Sequence, residues 1–165
     1  MSQLSMFERE AETKPRVVVF REMSVNRLTL RNFKKFAHFE ITPDGRNVII
    51  YGDNETGKTT LMDAFMWLFF DKDSLNKKDF GIKTLVDGEP LHRLEHEVEG
   101  EVTVGGVPRT FRKVYREKWT KKRGQPVESF EGHETLCWVD GVPKPKGEFE
   151  KVIKAIIDEK VFRLL

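Results

Sequence analysis

The chain has 165 residues, of which 34% are charged, and its formal net charge is only +2. This length suits a single domain with its own core, and the longest apolar run, residues 64–70, is too short to span a bilayer. The single cysteine, Cys137, excludes an internal disulfide and favours a reducing, cytoplasmic compartment.

Three predicted strands precede the most distinctive stretch of the sequence. Residues 1–22 are polar and mixed in charge, which predicts a loosely ordered extension, and Met23 is a second candidate start. Alternating apolar and polar residues then predict strands over 25–30 and 37–41, joined by a basic turn. After a second turn, the apolar run 48–51 predicts a strand that is buried on both faces.

Residues 52–59 fit the phosphate-loop pattern G-x-x-x-x-G-K-[ST], between that strand and a helix. Gly52 and Gly57 allow backbone angles that let successive N–H groups point at one anion, and the first N–H groups of the helix add to them. We expect Lys58 to neutralise the β- and γ-phosphates as the main catalytic side chain, Thr59 to hold Mg²⁺, and Thr60 to reach the α-phosphate. The remaining residues of the predicted phosphate cradle are Asp53, Asn54, Glu55 and Thr56.

The second half of the chain alternates strands with turns. Residues 61–70 are apolar except for Asp63, which predicts a helix that is buried on all sides. Strands are predicted over 97–104 and 109–119, and a further hairpin over 135–143 after a loop at 121–132. Residues 148–165 carry apolar side chains at the spacing of an amphipathic helix.

The order of strand, Asn32-Phe33 turn, strand, phosphate loop and buried helix resembles the N-terminal half of an ATPase head of the SMC superfamily, with SbcC-type and RecN-type DNA repair proteins as the nearest members. The resemblance is specific over residues 25–70. It implies an α/β fold, namely an ABC-type P-loop ATPase lobe with a mixed sheet around the helix that follows the phosphate loop, plus antiparallel hairpins. Residues 23–165 would then form one nucleotide-binding lobe of an incomplete head.

Members of this family bind ATP between two heads, act in DNA double-strand break repair or DNA maintenance, and carry a long coiled coil. The resemblance therefore implies an ATPase with ATP and Mg²⁺ as cofactors, a C-terminal half that completes the head, and a head–head dimer on ATP binding. It also implies that Lys34 and Lys35 lie near the nucleotide. Glu55 departs from the glycine that is usual in the family, and no signature segment, Walker B strand or coiled-coil heptad is found.

A basic stretch suggests a second binding surface. Residues 109–123 hold eight basic residues against one acid, and Arg112, Arg116 and Lys118 share one face of the predicted strand. Such a stripe can neutralise DNA phosphates, or it can keep an exposed strand from pairing with another chain. Both interpretations stay open at this point.

Two further features of the sequence resemble functional sites but are interpreted as structural. Residues 136–140 imitate a Walker B strand, but Asp140-Gly141 followed by Pro143 predicts a hairpin turn instead. The four histidines are interpreted as surface or packing residues, since no pair has a third ligand nearby.

Two other functions stay open beside the ATPase lobe. One is a self-contained P-loop nucleotide kinase or GTPase, although no Arg-rich lid and no guanine-reading N-K-x-D motif are found. The other is a DNA-binding module whose phosphate loop is vestigial, for which DNA binding would be independent of ATP.

Overall fold

Residues 22–52 and 57–159 are described by a computed structural model of the chain. They form strands and helices in the following order, with the bounds given in full. The strands are β1 (Met23–Phe33), β2 (Phe36–Ile41), β3 (Leu85–Val86), β4 (Glu89–Pro90), β5 (His96–Val104), β6 (Val107–Thr120), β7 (Ser129–Val139) and β8 (Val142–Lys144). The helices are α1 (Lys58–Phe70) and α2 (Lys146–Ile156), and neither is long and apolar enough to cross a membrane.

One six-stranded sheet organises the described residues, in the order β2-β1-β5-β6-β7-β8. The predicted fold class is confirmed, and the predicted strands near 25–41 and 97–119 are present. Every pairing in the sheet is antiparallel, so the parallel pairing that a mixed sheet would need does not occur within the described part. β7 begins earlier than predicted, because Ser129 and Phe130 pair with Thr120 and Trp119 and shorten the preceding loop.

Alternation along the strands gives the sheet one apolar face, and α1 and α2 pack on it. Phe111 lies at the centre of this core, with its ring 5.8 Å from Phe69 of α1 and 5.9 Å from Phe149 of α2. Both pairs meet edge to face, which is a favoured aromatic arrangement. The predicted burial of the helix after the phosphate loop is confirmed on most of its faces.

Close approach of α1 to the sheet requires a glycine in β5. A Cβ on Gly100 would lie 2.8 Å from Cδ2 of Leu68, which is fully buried, so this side chain would have to shift within a packed core. The missing side chain therefore sets the distance between α1 and the sheet.

A buried cation holds the C-terminal end of α1. Lys113 of β6 is only 1% exposed, and its amine donates to the Trp67 carbonyl at 2.9 Å and to Asp71 Oδ1 at 2.7 Å. Burial lowers the pKa of Lys113, and the adjacent Asp71 carboxylate opposes that shift. The last carbonyls of a helix lack internal partners, so this amine satisfies one of them and faces the negative end of the helix dipole.

The apolar run before the phosphate loop differs from its prediction. Residues 48–51 were expected to form a buried strand, but their backbone is irregular and their side chains are exposed, with Tyr51 at 84%. A strand buried on both faces needs neighbouring strands to bond its N–H and C=O groups. No strand in the described ranges pairs with this segment.

The predicted helix over 148–165 is shorter than expected. α2 ends at Ile156, because Ile157 adopts an extended backbone with φ −129° and ψ 122° and places its side chain in the core. Residues 160–165, like the predicted extension at 1–21, lie outside the described residues.

Replacing Gly100 by Ala is expected to lower the free energy of unfolding by about 1–3 kcal/mol, the usual cost of overpacking a core. Urea denaturation of both proteins measures the change. Gly147→Ala in α2 is the matched control, because a Cβ there meets nothing within 4 Å. That control should keep or slightly raise stability. Equal free energies of unfolding for Gly100→Ala and Gly147→Ala would contradict the close contact between Gly100 and Leu68.

Candidate nucleotide site

The start of α1 is built around Gly57. This residue has φ 105°, which favours glycine, and a Cβ there would lie 2.4 Å from Phe36 Cζ and 2.9 Å from Lys35 Cε. The first backbone bond of α1 runs from the Leu61 N–H to the Gly57 carbonyl at 3.0 Å. The N–H groups of residues 58–60 are therefore left without helix partners, and no acidic side chain occupies the first turn.

Lys58 reaches across the phosphate loop. Its amine donates to the carbonyl oxygen of Gly52, so the two ends of the motif are brought together. Thr59 is exposed at the helix start and Thr60 is buried. Asp53, Asn54, Glu55 and Thr56 lie outside the described residues, and their predicted roles stay predictions. An anion at this helix start would meet N–H groups that have no partner within the helix, together with the Lys58 amine and the positive helix end.

The two turn lysines differ in their surroundings. The Lys34 amine donates to Asp63 Oδ2 on α1, and Asp63 Oδ1 accepts the Ser74 N–H at 2.8 Å. Burial alone would raise the pKa of Asp63, but the Lys34 and Ser74 bonds outweigh it and lower the pKa. Lys35 is exposed and lies against Gly57. Both lysines were predicted to lie near the nucleotide. In the structure the Lys34 amine forms an ion pair with Asp63, whereas the Lys35 side chain lies against Gly57 of the phosphate loop.

Asp63 is a structural residue of the site that sequence reasoning missed. The signal was available, because a single carboxylate in an otherwise apolar helix needs a buried partner. Lys34 stands in the turn between β1 and β2, and its own N–H donates to the Ile82 carbonyl at 2.8 Å. The turn, α1 and the segment after α1 therefore meet at this lysine.

A cleft of about 600 Å³ opens beside the two turn lysines. Its walls are largely apolar, and Lys34, Lys35 and Lys83 lie among them. The apolar and aromatic side chains that line it are Phe80, Ile82, Leu85, Pro90 and Tyr115. This size and composition are typical of pockets that take small organic ligands.

The outer wall of the cleft is attached to the sheet through one carboxylate. Glu117 of β6 accepts bonds from the Lys83 amine, from the Arg93 N–H at 3.1 Å and from Trp119 Nε1 at 2.9 Å, and it pairs with His92 Nδ1 at 2.8 Å. Burial alone would raise its pKa, but these partners outweigh burial and hold the pKa far below the ordinary value.

The predicted basic stripe does not form one exposed surface. Arg112 binds Glu97 at 2.7 Å, and Arg116 binds Glu134 at 2.9 Å and Glu95 at 3.1 Å. Lys113, which was counted in the same stretch, is buried under α1. Lys118 is exposed at an irregularity between Glu117 and Trp119. Carboxylates on neighbouring strands therefore neutralise the two arginines.

The remaining candidates are placed in structural roles. Asp140 has φ 51° in a hairpin turn and accepts bonds from Arg109 Nε at 2.7 Å and the Thr110 N–H at 2.9 Å. The prediction of a turn in place of a Walker B strand is confirmed. No group of three potential metal-ligating side chains occurs within residues 22–52 and 57–159.

The comparisons with known proteins agree with this geometry. A family model described as an AAA domain matches residues 27–159, and the chain belongs to that family. Its curated relatives include proteins named DNA replication and repair protein RecF. The Rhizobium etli protein is 33% identical over 87 residues, which cover 51% of this chain and 23% of the relative. The Rhizobium johnstonii protein is 29% identical over 126 residues, which cover 72% of this chain and 33% of the relative.

A solved structure supports the fold. It is titled as the recombination mediator protein RecF-ATP in the RecFOR pathway, and it matches with a TM-score of 0.52 at 18% identity over 79% of this chain and 31% of that chain. The resemblance to the N-terminal part of an ABC-type P-loop ATPase in the SMC superfamily is confirmed. The chain spans only about a quarter to a third of the length of the two relatives described above.

Glu117→Gln is expected to lower the free energy of unfolding at pH 7 by at least about 1.5–3 kcal/mol, the contribution of a hydrogen bond to a charged group. The folded-state pKa is depressed, so the wild-type advantage is complete above the ordinary value of 4.5 and falls as the pH drops below it. Urea denaturation between pH 7 and acid measures the difference.

The exposed Glu131 supplies the control for this series, since Glu131→Gln should change stability little at any pH. If the difference in free energy of unfolding between wild type and Glu117→Gln stayed constant in acid, the stabilising role of the charged carboxylate would be contradicted.

Proposed function

We propose that this chain is the ATP- and Mg²⁺-binding lobe of an ATPase that acts in DNA repair or DNA maintenance. The observation that carries the proposal is the start of α1, where Gly57 has φ 105°, the Lys58 amine reaches the Gly52 carbonyl, and the N–H groups of residues 58–60 have no partner within the helix. The AAA-domain match and the RecF relatives support the same class. A cytoplasmic location stays a prediction from the single cysteine.

Each residue of the motif has a proposed role at a polyphosphate. Lys58 exchanges the Gly52 carbonyl for β- and γ-phosphate oxygens, and the backbone of residues 52–58 cradles the β-phosphate. The exposed Thr59 hydroxyl holds Mg²⁺, which in turn neutralises charge between phosphates. Thr60 serves the α-phosphate. Lys35 adds a second cation from the turn, because its side chain already lies against Gly57.

The neighbouring cleft is proposed to take the nucleoside part of ATP. It begins at Lys35, the residue that touches the phosphate loop, and its walls offer aromatic and aliphatic surface to a base. Lys34 is proposed to shape this cleft rather than to bind phosphate, because Asp63 holds its charge.

Hydrolysis is proposed to need the C-terminal half of the head and an ATP-dependent head–head dimer. The exposed apolar run 48–51 supports this, since a strand from elsewhere would both cover its side chains and bond its backbone. Asp140, the residue nearest in pattern to a catalytic carboxylate, is occupied in a hairpin. A coiled coil between the halves remains a prediction from the resemblance.

Lys58→Ala is expected to reduce ATP affinity at least about 100-fold, because the main phosphate cation is lost while the fold is untouched. Calorimetric titration with ATP and Mg²⁺ measures binding, and phosphate release in the same samples measures turnover. Lys77→Ala, at an exposed lysine outside the site, is the matched control.

Negligible turnover in the wild type is expected, because residues 1–165 supply one side of the site. Steady turnover by this chain alone would contradict the half-site and favour a self-contained P-loop enzyme. Equal ATP affinity in wild type and Lys58→Ala would favour a vestigial loop.

Leu85→Ala is expected to weaken ATP binding several-fold and to leave binding of inorganic tripolyphosphate unchanged, because it removes apolar surface from the nucleoside cleft only. Leu85 is 59% exposed, so the variant should fold normally. Leu75→Ala, at a leucine 71% exposed and outside the cleft lining, is the control. If Leu85→Ala weakened the binding of ATP and of tripolyphosphate to the same extent, the proposal that the cleft binds the nucleoside would be contradicted.

A further inference from the structure

The hairpin of β6 and β7 projects beyond the sheet. β5 pairs with β6 only as far as Tyr115, which lies opposite His96. From Arg116 onward β6 pairs with β7 alone, through Glu117↔His133 to Thr120↔Ser129. Within the described ranges, residues 116–134 therefore form a two-stranded ribbon without a third strand on either edge, and we name this segment the ribbon.

The ribbon is stiffened at its base. The buried Glu117 cluster ties it to the segment before β5, and Arg93 from that segment lies 4.4 Å over the Trp119 ring. Across the ribbon, Trp119 packs against Phe130 at 5.4 Å, and Tyr115 stacks on His133 at 5.0 Å. These contacts restrain the two strands of the ribbon on either side of the turn at 121–128.

The far end of the ribbon is cationic. Its exposed basic side chains, which we name the tip cations, are Lys118, Lys121, Lys122 and Arg123. Within the described part of the chain, none of the four has a carboxylate partner. Glu128, at the foot of the same turn, is paired with Arg93 at 2.9 Å, and Glu131 lies further along β7. The tip therefore differs from the sheet face, where glutamates neutralise Arg112 and Arg116.

We propose that the ribbon is a nucleic-acid contact of this protein, in which the tip cations bind phosphates of duplex DNA. A two-stranded ribbon is narrow enough to enter a major groove, and unpaired Lys and Arg side chains supply contacts that do not depend on sequence. The choice of DNA as the partner rests on the proposed function, whereas the location rests on the ribbon geometry. The proposed DNA contact therefore lies at the end of the hairpin and not on the strand face that the sequence suggested.

The test compares four forms of the full chain, namely wild type, a tip variant, a charge-matched control and Arg112→Gln, by fluorescence anisotropy with a labelled 30-base-pair duplex at several salt concentrations. The tip variant combines Lys121→Ala, Lys122→Ala and Arg123→Ala. A control with the same loss of charge combines Lys77→Ala, Lys78→Ala and Lys154→Ala, all at exposed positions away from the ribbon. Each lost phosphate contact should reduce the slope of log K against log salt by about 0.9, so the tip variant should lose up to about 2.7.

We expect the tip variant to bind the duplex at least tenfold more weakly than wild type at low salt, with the control close to wild type. Equal affinities of the tip variant and the control would overturn the proposal, and an acidic protein would become the class of partner to test. A larger loss in Arg112→Gln than in the tip variant would also overturn it, because the sheet face would then be the contact.

ATP affinity measured in the same samples separates this proposal from the proposed function. The tip variant should bind ATP like wild type, because its changes lie outside the phosphate loop and the cleft. Loss of DNA binding in the tip variant with intact ATP binding supports the ribbon. If the wild type bound ATP but did not bind the duplex, the DNA-contact proposal would be overturned and the proposed ATP-binding function would stand.

Discussion

Polar contacts inside α1 and at its C-terminal end determine where α1 lies on the sheet. Burial of apolar surface has no direction, so a helix that is apolar on most faces can rotate or slide at little cost. Asp63 and the Trp67 carbonyl permit one position only, because Lys34 and Lys113 approach them from fixed strands and turns. A buried charge that loses its partner costs about 3–5 kcal/mol, which excludes other registers. The direction in which the start of α1 points follows from these contacts.

The two faces of the sheet divide structural from binding roles. The inner face carries the helices, and the outer face carries ion pairs in which Glu97 lies between Arg31 and Arg112. Arg112 also lies 4.4 Å over the Trp138 ring, which restrains it further. Side chains that are paired in this way have little free charge to offer a partner. The two proposed binding sites lie instead at the ends of the sheet, where the ion pairs among the described residues do not include Lys35 or the tip cations.

Much of the fold was predictable because its signals are local. The phosphate-loop pattern located α1, alternation of apolar and polar residues located β5 and β6, and Asp140-Gly141 located the β7–β8 hairpin. The run 48–51 was predicted wrongly because apolar, β-branched residues favour a strand only when neighbouring strands exist. Within the candidate site, the sequence pattern placed Lys58 and Thr59 at the start of α1, and their roles stay predictions. It did not give the pairing of Lys34 with Asp63, or the burial of Lys113, because both depend on side chains from distant strands.

The order of the strands also bears on how the chain folds. β6, β7 and β8 pair only with sequence neighbours, whereas β1 pairs with β5 across a long intervening segment, as in the pairing of Arg31 with Glu97, 66 positions apart. Local hairpins form faster than contacts that must first close a long loop. The segment that holds α1 lies inside that loop, and the start of α1 packs against Lys35 and Phe36, which directly follow β1. We therefore expect the start of α1 to reach its native geometry only when β1 joins the meander.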